Sequence, residues 1–144
     1  MVILRSGVDM VELGRLEALN PRIRERFLRR VFTPGELAET DGDLSALAGR
    51  FAVKEAVSKA LGTGIGRVHW QDIETRDGPW GAPQLRLHGF AREVADALGL
   101  SAWSISISDT RTHAVAIAVA IGESDAGIPG QPAHQPGDEE PPSG

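Results

Sequence analysis

Gly49-Arg-Phe-Ala-Val-Lys-Glu-Ala-Val-Ser-Lys-Ala-Leu-Gly62 reads as a helix of good helix formers, closed by a glycine. At about 100° per residue, Leu44, Leu47, Ala48 and Phe51 share one face, and Glu55 projects from the middle of it with Lys59 one turn on. An ionised carboxylate on an apolar face costs several kcal/mol unless a cation meets it. Two cations suit. Lys59 at i, i+4 would add about 0.2–0.5 kcal/mol, and a metal ion would satisfy the charge outright. The helix alone leaves both open.

On the N-terminal side of this helix, Asp41-Gly42-Asp43 offers a cap, and Thr33-Pro34-Gly35-Glu36 matches a helix start with proline in the first turn. Further back, Leu13, Leu16, Leu19, Ile23, Phe27 and Val31 recur at three- and four-residue spacing. They are interrupted at Asn20-Pro21, where a second short helix begins. Val2–Met10 reads as a β-branched first strand, broken by Gly7, with Asp9 at or just beyond its end.

On the C-terminal side, Gly62-Thr-Gly-Ile-Gly66 resembles a phosphate loop but follows a helix instead of preceding one. The plainer reading is a helix stop and flexible connector, whose glycines would let backbone approach a ligand near Lys59. Gln71–Thr75 and Gln84–His88 predict a hairpin, and Phe90–Leu98 predicts a short amphipathic helix. Trp103–Ser108 and His113–Ile121 alternate with period two and are joined by a turn at Asp109-Thr-Arg-Thr112. The small-residue face of His113–Ile121 predicts close packing against a helix or a neighbouring subunit.

Asp9 and Glu55 are hard-oxygen donors, and two carboxylates plus phosphate oxygens and water suit Mg²⁺. Other chemistries find no support. The histidines His69, His88, His113 and His134 lack zinc-ligand spacing. Ser104, Ser106 and Ser108 share a strand face without a nucleophile elbow, and there is no cysteine. No segment reaches the ~20 apolar residues of a membrane span, so a cytoplasmic location is expected. A nucleic-acid role would call for aromatic stacking, but the chain has no Tyr and its Trp and Phe are scattered.

The 144 residues suffice for one domain with its own core, expected over 1–122. From 123 to 144 the chain loses periodicity and turns to Pro, Gly and acidic residues, the composition of a disordered tail. The net charge of −5 resides in that tail, since Glu123, Asp125, Asp138, Glu139 and Glu140 all lie there. Within the balanced remainder, Arg15, Arg22, Arg24, Arg26, Arg29 and Arg30 face only Glu17 and Glu25, a basic surface suited to an acidic partner.

Gly7-Val-Asp-Met-Val-Glu12 and Gly49–Gly66 together resemble the two signature motifs of the holo-acyl-carrier-protein synthases, which are phosphopantetheinyl transferases. Phe32-Thr-Pro-Gly-Glu36, Asp72-Ile-Glu74, Gly81-Ala-Pro83 and Val115–Ile121 follow in the family's order, so the likeness covers roughly residues 3–122. It implies an α+β fold, an antiparallel sheet packed with a long helix, and a homotrimer with active sites between subunits. It also implies transfer of 4′-phosphopantetheine from coenzyme A to a serine of an acyl carrier protein of fatty-acid or polyketide synthesis, releasing adenosine 3′,5′-bisphosphate.

By the same resemblance Asp9 and Glu55 hold Mg²⁺ against the pyrophosphate, Glu55 also orients the attacking hydroxyl, and Lys59 neutralises charge on the phosphates. Arg50 and Gly62, Thr63 and Gly64 would contact the nucleotide part of coenzyme A, and Thr110 a phosphate. Arg15, Arg22 and Arg26 would dock the acidic carrier protein. One departure stands out: Asp109 occupies the position where the family usually has a histidine near the pyrophosphate. Asp109 is then an additional metal ligand, which is the favoured reading, or a base, or the mark of a weakened or redirected homologue that binds coenzyme A or a carrier protein. His113 is expected on the next strand, outside that role.

Overall fold

The computed structural model describes residues 1–124. Strand β1 (Val2–Glu12) leads into three helices, α1 (Leu13–Glu17), α2 (Pro21–Val31) and α3 (Pro34–Thr40), and then into the long α4 (Leu44–Leu61). The hairpin β2 (Ile73–Asp77) and β3 (Pro83–Leu87) follows, then α5 (Gly89–Ala97), β4 (Leu100–Asp109) and β5 (His113–Glu123). β1, β5 and β4 form an antiparallel sheet in that order, and β2–β3 is a separate two-stranded sheet. The fold is the expected α+β single domain, with a long helix on an antiparallel sheet.

The helix boundaries follow local chemistry. Asn20 caps α2 through Arg22 N, with Pro21 opening the helix. Thr33 and Glu36 close a reciprocal capping box at α3. Asp43 caps α4, which ends at Gly62 in the left-handed conformation. The predicted hairpin is present, although the residues before Ile73 form a 3-10 turn, Trp70–Asp72, instead of strand.

Two expectations at β1 are corrected. Gly7 does not break the strand, which continues to Glu12, and Asp9 therefore lies inside it, paired in register with Ala116. The reason is a close approach: a Cβ on Gly7 would stand 1.9 Å from the carbonyl oxygen of Ala56 in α4. Only glycine lets the helix backbone settle on the strand at that point. Beside it, Ala114, Ala116, Ala118 and Ala120 of β5 are buried beneath α4, as the alternation predicted. The opposite face of the same sheet carries Leu4, Val8, Met10, Ile117 and Ile121, all exposed. β5 ends at Glu123, one residue past the expected domain limit, and the rest of the expected tail lies outside the described residues.

α4 is not amphipathic as its opening pattern suggested. It is buried on nearly every side, and its deepest charge is Lys54, not Glu55. Lys54 Nζ is fully buried, meets Glu36 Oε1 at 2.7 Å, donates to the carbonyls of Trp70 and Ile73, and lies 5.4 Å from the centre of the Phe32 ring. Burial pulls the Lys54 ammonium below the usual lysine range against the opposing pull of Glu36. Glu36 Oε2 also accepts the amide of Thr75, so one buried carboxylate ties α3, α4 and β2 together.

Lys54→Met would strand Glu36 in the core and is expected to cost about 3–5 kcal/mol in urea unfolding. Lys54→Met with Glu36→Leu should recover most of that loss, because the pair's desolvation cost disappears with it.

Candidate active site

Because Gly7 brings α4 onto β1, Asp9, two residues on and on the same face, meets α4 one turn from Ala56. Lys59 Nζ sits 3.1 Å from Asp9 Oδ1 and donates to the carbonyl of Val8 at 2.9 Å. Lys59 thus bridges helix to strand instead of pairing simply with Glu55 along the helix. Glu55 is half-buried. Burial raises its pKa first, the Asp9 charge adds to this, and Lys59 opposes both.

The two carboxylates open into a cavity of about 720 Å³. Its walls come from β1 (Asp9, Met10, Val11, Glu12), α1 (Arg15, Leu16), the α1–α2 connection (Leu19), α2 (Ile23, Phe27), α4 (Phe51, Glu55) and β5 (His113). The cavity is polar at Asp9 and Glu55, apolar along α2, and basic at Arg15. Among the described residues no group of three or more His, Cys, Asp or Glu gathers around a common point. The Asp9 charge acts on Glu55, a repulsion that a hard divalent cation between the two carboxylates would relieve.

The other residues singled out in the sequence fall in different places. The amide of Gly62 bonds to Lys59 O, and the amides of Thr63 and Gly64 bond to Ser58 O. All three donors are spent on the end of α4, so here the loop is a helix cap. Arg50 is buried and bonds to Glu39, Asp77 and the carbonyl of Thr75. It fastens the β2–β3 hairpin to α3 and α4. In the same network Glu39 is held at about 2: partial burial raises it, but Arg76, the Asp77 amide and Arg50 outweigh that effect.

Asp109 accepts a hydrogen bond from Ser45 in the first turn of α4. Ser45 is ten residues before Glu55, about 15 Å along the helix at 1.5 Å per residue. Within one chain Asp109 therefore stands apart from Asp9 and Glu55, and only a second copy of the chain could bring an Asp109 to them. Thr110 lies beside it in the β4–β5 turn, accepting from the amides of Thr112 and His113. Arg15 reaches the cavity, whereas Arg22 and Arg26 line a shallower groove on α2 with Glu25 and Arg29.

His113 opens β5 opposite Glu12, on the next strand as expected, and lines the cavity. The Lys54–Glu36 pair was not expected, although the capping box that fixes Glu36 is visible in the sequence.

The chain belongs to the 4′-phosphopantetheinyl transferase superfamily, whose family model matches residues 5–119. It is 46% identical over 125 residues to the holo-[acyl-carrier-protein] synthase of Moorella thermoacetica, covering 85% of this chain and 95% of that protein. With the synthase of Carboxydothermus hydrogenoformans it shares 44% identity over 117 residues, covering 79% and 94%. Among solved structures, the Helicobacter pylori holo-[acyl-carrier-protein] synthase in complex with coenzyme A superposes with a TM-score of 0.72 at 35% identity, covering 80% of this chain and 98% of that one. The Bacillus anthracis synthase in complex with CoA (3′,5′-ADP) gives a TM-score of 0.69 at 33% identity, covering 85% and 100%.

Because the folded-state pKa of Glu55 lies above its unfolded value, ionising this carboxylate disfavours the fold. The cost is absent at acid pH and complete once the pH exceeds the folded value. Glu55→Gln is therefore expected to raise the melting temperature of the metal-free protein at pH 7.5 but not at pH 4. Added Mg²⁺ should stabilise the wild type at pH 7.5 and leave Glu55→Gln unmoved, as read by thermal denaturation.

Proposed function

We propose that the protein transfers 4′-phosphopantetheine from coenzyme A to a serine of an apo acyl carrier protein, releasing adenosine 3′,5′-bisphosphate, in a Mg²⁺-dependent reaction. The observation that carries this reading is the meeting of Asp9, Glu55 and Lys59 at one cavity mouth, within the region matched by the family. The relatives' names and the bound coenzyme A of the Helicobacter pylori structure support the choice of substrates. Retention of both carboxylates and the lysine favours an enzyme over a homologue that only binds.

Asp9 and Glu55 would hold the Mg²⁺, which when bound neutralises pyrophosphate charge and fixes the electrophilic phosphorus. Lys59, now 3.1 Å from Asp9, would be freed by a cation bound there to neutralise the negative charge that grows on the phosphate oxygens as the leaving group departs. Glu55 would orient the attacking hydroxyl directly or through a water. Phe51, Phe27 and Leu16 exclude bulk water from that side of the cavity, which strengthens each of these electrostatic contacts.

Two further features support a homotrimer with shared sites. Asp109 and Thr110 sit at the opposite end of α4 from Asp9 and Glu55, so one chain presents two half-sites about 15 Å apart, and a second copy would bring the other half. The sheet face bearing Leu4, Val8, Met10, Ile117 and Ile121 at 47–65% exposure offers the apolar surface for such packing. Arg15 lines the cavity, Arg22 and Arg26 lie on α2, whose Ile23 and Phe27 also line it, and the three would steer an acidic carrier protein to it. Among the described residues no helix is long and apolar enough to cross a membrane, in keeping with a cytoplasmic enzyme.

Intact-mass spectrometry of an apo carrier protein incubated with this protein, coenzyme A and Mg²⁺ tests the reading. The carrier should gain one phosphopantetheine, and the gain should vanish with EDTA or in Glu55→Ala. No gain with several carrier proteins would overturn it. In the same assay Arg22→Glu with Arg26→Glu should lower kcat/KM for the carrier about tenfold or more at low salt, with the gap closing as salt rises.

A further inference from the structure

We propose that Arg5 binds the 3′-phosphate of coenzyme A and so selects it over the dephosphorylated form, an inference that rests on the donor proposed above. Arg5 lies on the face of β1 that carries Gly7 and Asp9, four residues before Asp9 and about 13 Å from it along the strand. Its Nε donates to the carbonyl of Ala60 at 2.8 Å, in the last turn of α4. A Cβ on Gly62 would stand 2.8 Å from Arg5 Nη2, so the guanidinium lies against the glycine that ends the helix. Lys59 crosses in the opposite sense, from helix to strand, to reach Val8 and Asp9. Two cations thus flank the last turn of α4, one beside the carboxylates and one at the loop.

Arg5 has more donors than the fold uses. A guanidinium carries five N–H groups, and among the described residues only the one on Nε meets an acceptor. Arg50 and Arg76 are paired with carboxylates, whereas among the described residues Arg5 is in no ion pair. Its remaining fork matches the oxygens of a phosphate monoester. An anion at the end of a helix meets the negative pole of the helix dipole, and the amides of Gly62, Thr63 and Gly64 are engaged with the carbonyls of Lys59 and Ser58. A phosphate held here therefore needs a side-chain cation, and Arg5 supplies it. The spacing selects which phosphate. With the pyrophosphate at Asp9, Glu55 and Lys59, the 3′-phosphate stands beyond the ribose, on the side away from the pantetheine arm. A hollow of about 420 Å³, lined by Ser6, Gly7, Val8, Lys59 and Ile117, lies on β1 between Asp9 and Arg5 and offers room for that sugar.

Titration calorimetry of wild type, Arg5→Gln and Arg5→Lys with coenzyme A and with 3′-dephospho-coenzyme A, in the presence of Mg²⁺, tests the assignment. Wild type should bind coenzyme A about tenfold or more tightly than the dephospho form. Arg5→Gln should weaken coenzyme A to the dephospho level and leave the dephospho Kd within about twofold. Arg5→Lys keeps the charge without the fork and should keep part of the preference. Melting temperatures of the free variants register the lost cap on Ala60, and an arginine with that structural role alone would weaken both donors equally. Such an equal fall overturns the proposal, as does equal affinity of wild type for the two donors or a preference unchanged in Arg5→Gln. Transfer to an apo carrier protein, followed by intact mass in parallel, separates the two readings. Wild-type transfer with any of those overturning results removes Arg5 alone. A 3′-phosphate preference that is lost in Arg5→Gln, in a protein that transfers nothing, removes the transferase reading alone.

Discussion

The close contact between the backbones of β1 and α4 at Gly7 is the constraint on which the rest of the molecule depends. A helix buried on nearly all sides has no polar face to tell it where to lie. Its position is set by what the sheet will admit, and the sheet admits it at Gly7, the one β1 position without a side chain, and along the alanine row of β5. That seating brings the Asp9 carboxylate to Glu55 and Lys59. The same glycine that weakens a strand in isolation therefore sets the spacing of the charged groups.

A second constraint fixes the helix from its other side. Glu36, held in place by its own capping box, reaches Lys54 and the Thr75 amide, while Arg50 and Arg76 tie Glu39 to the hairpin. Such a buried ionic network contributes little net stability, because desolvation consumes much of the Coulombic gain. Its effect is registry: sliding α4 by one turn would leave a lysine in the core without its carboxylate. Rotation of the helix is thereby prevented as well, so Glu55 keeps facing the cavity although no partner of its own holds it there.

Much of this was legible in the sequence where the signal is local. The caps at Asn20, Thr33 and Asp43, the glycine stop at Gly62 and the period-two strands needed only neighbouring residues. Asp9, Glu55 and Lys59 were legible as a group through charge in an apolar context and the family likeness. What failed was long-range. Gly7 looked like a break because a close approach by α4 is invisible in one strand's residues. The buried ties of Arg50 were hidden because Glu39 and Asp77 lie 11 and 27 residues away. The distance of Asp109 from Glu55 depended on the length of α4 between them.

The glycine loop after α4 has a consequence for how a ligand would be felt there. Its amides are the hydrogen-bond partners of the last helical carbonyls, so any anion that recruits them competes with the helix for its own terminus. Occupancy of the loop and fraying of the final turn become two sides of one equilibrium, with Lys59 riding on that turn. A bound phosphate would then register in amide exchange at Thr63 and Gly64 as a change in where the helix ends.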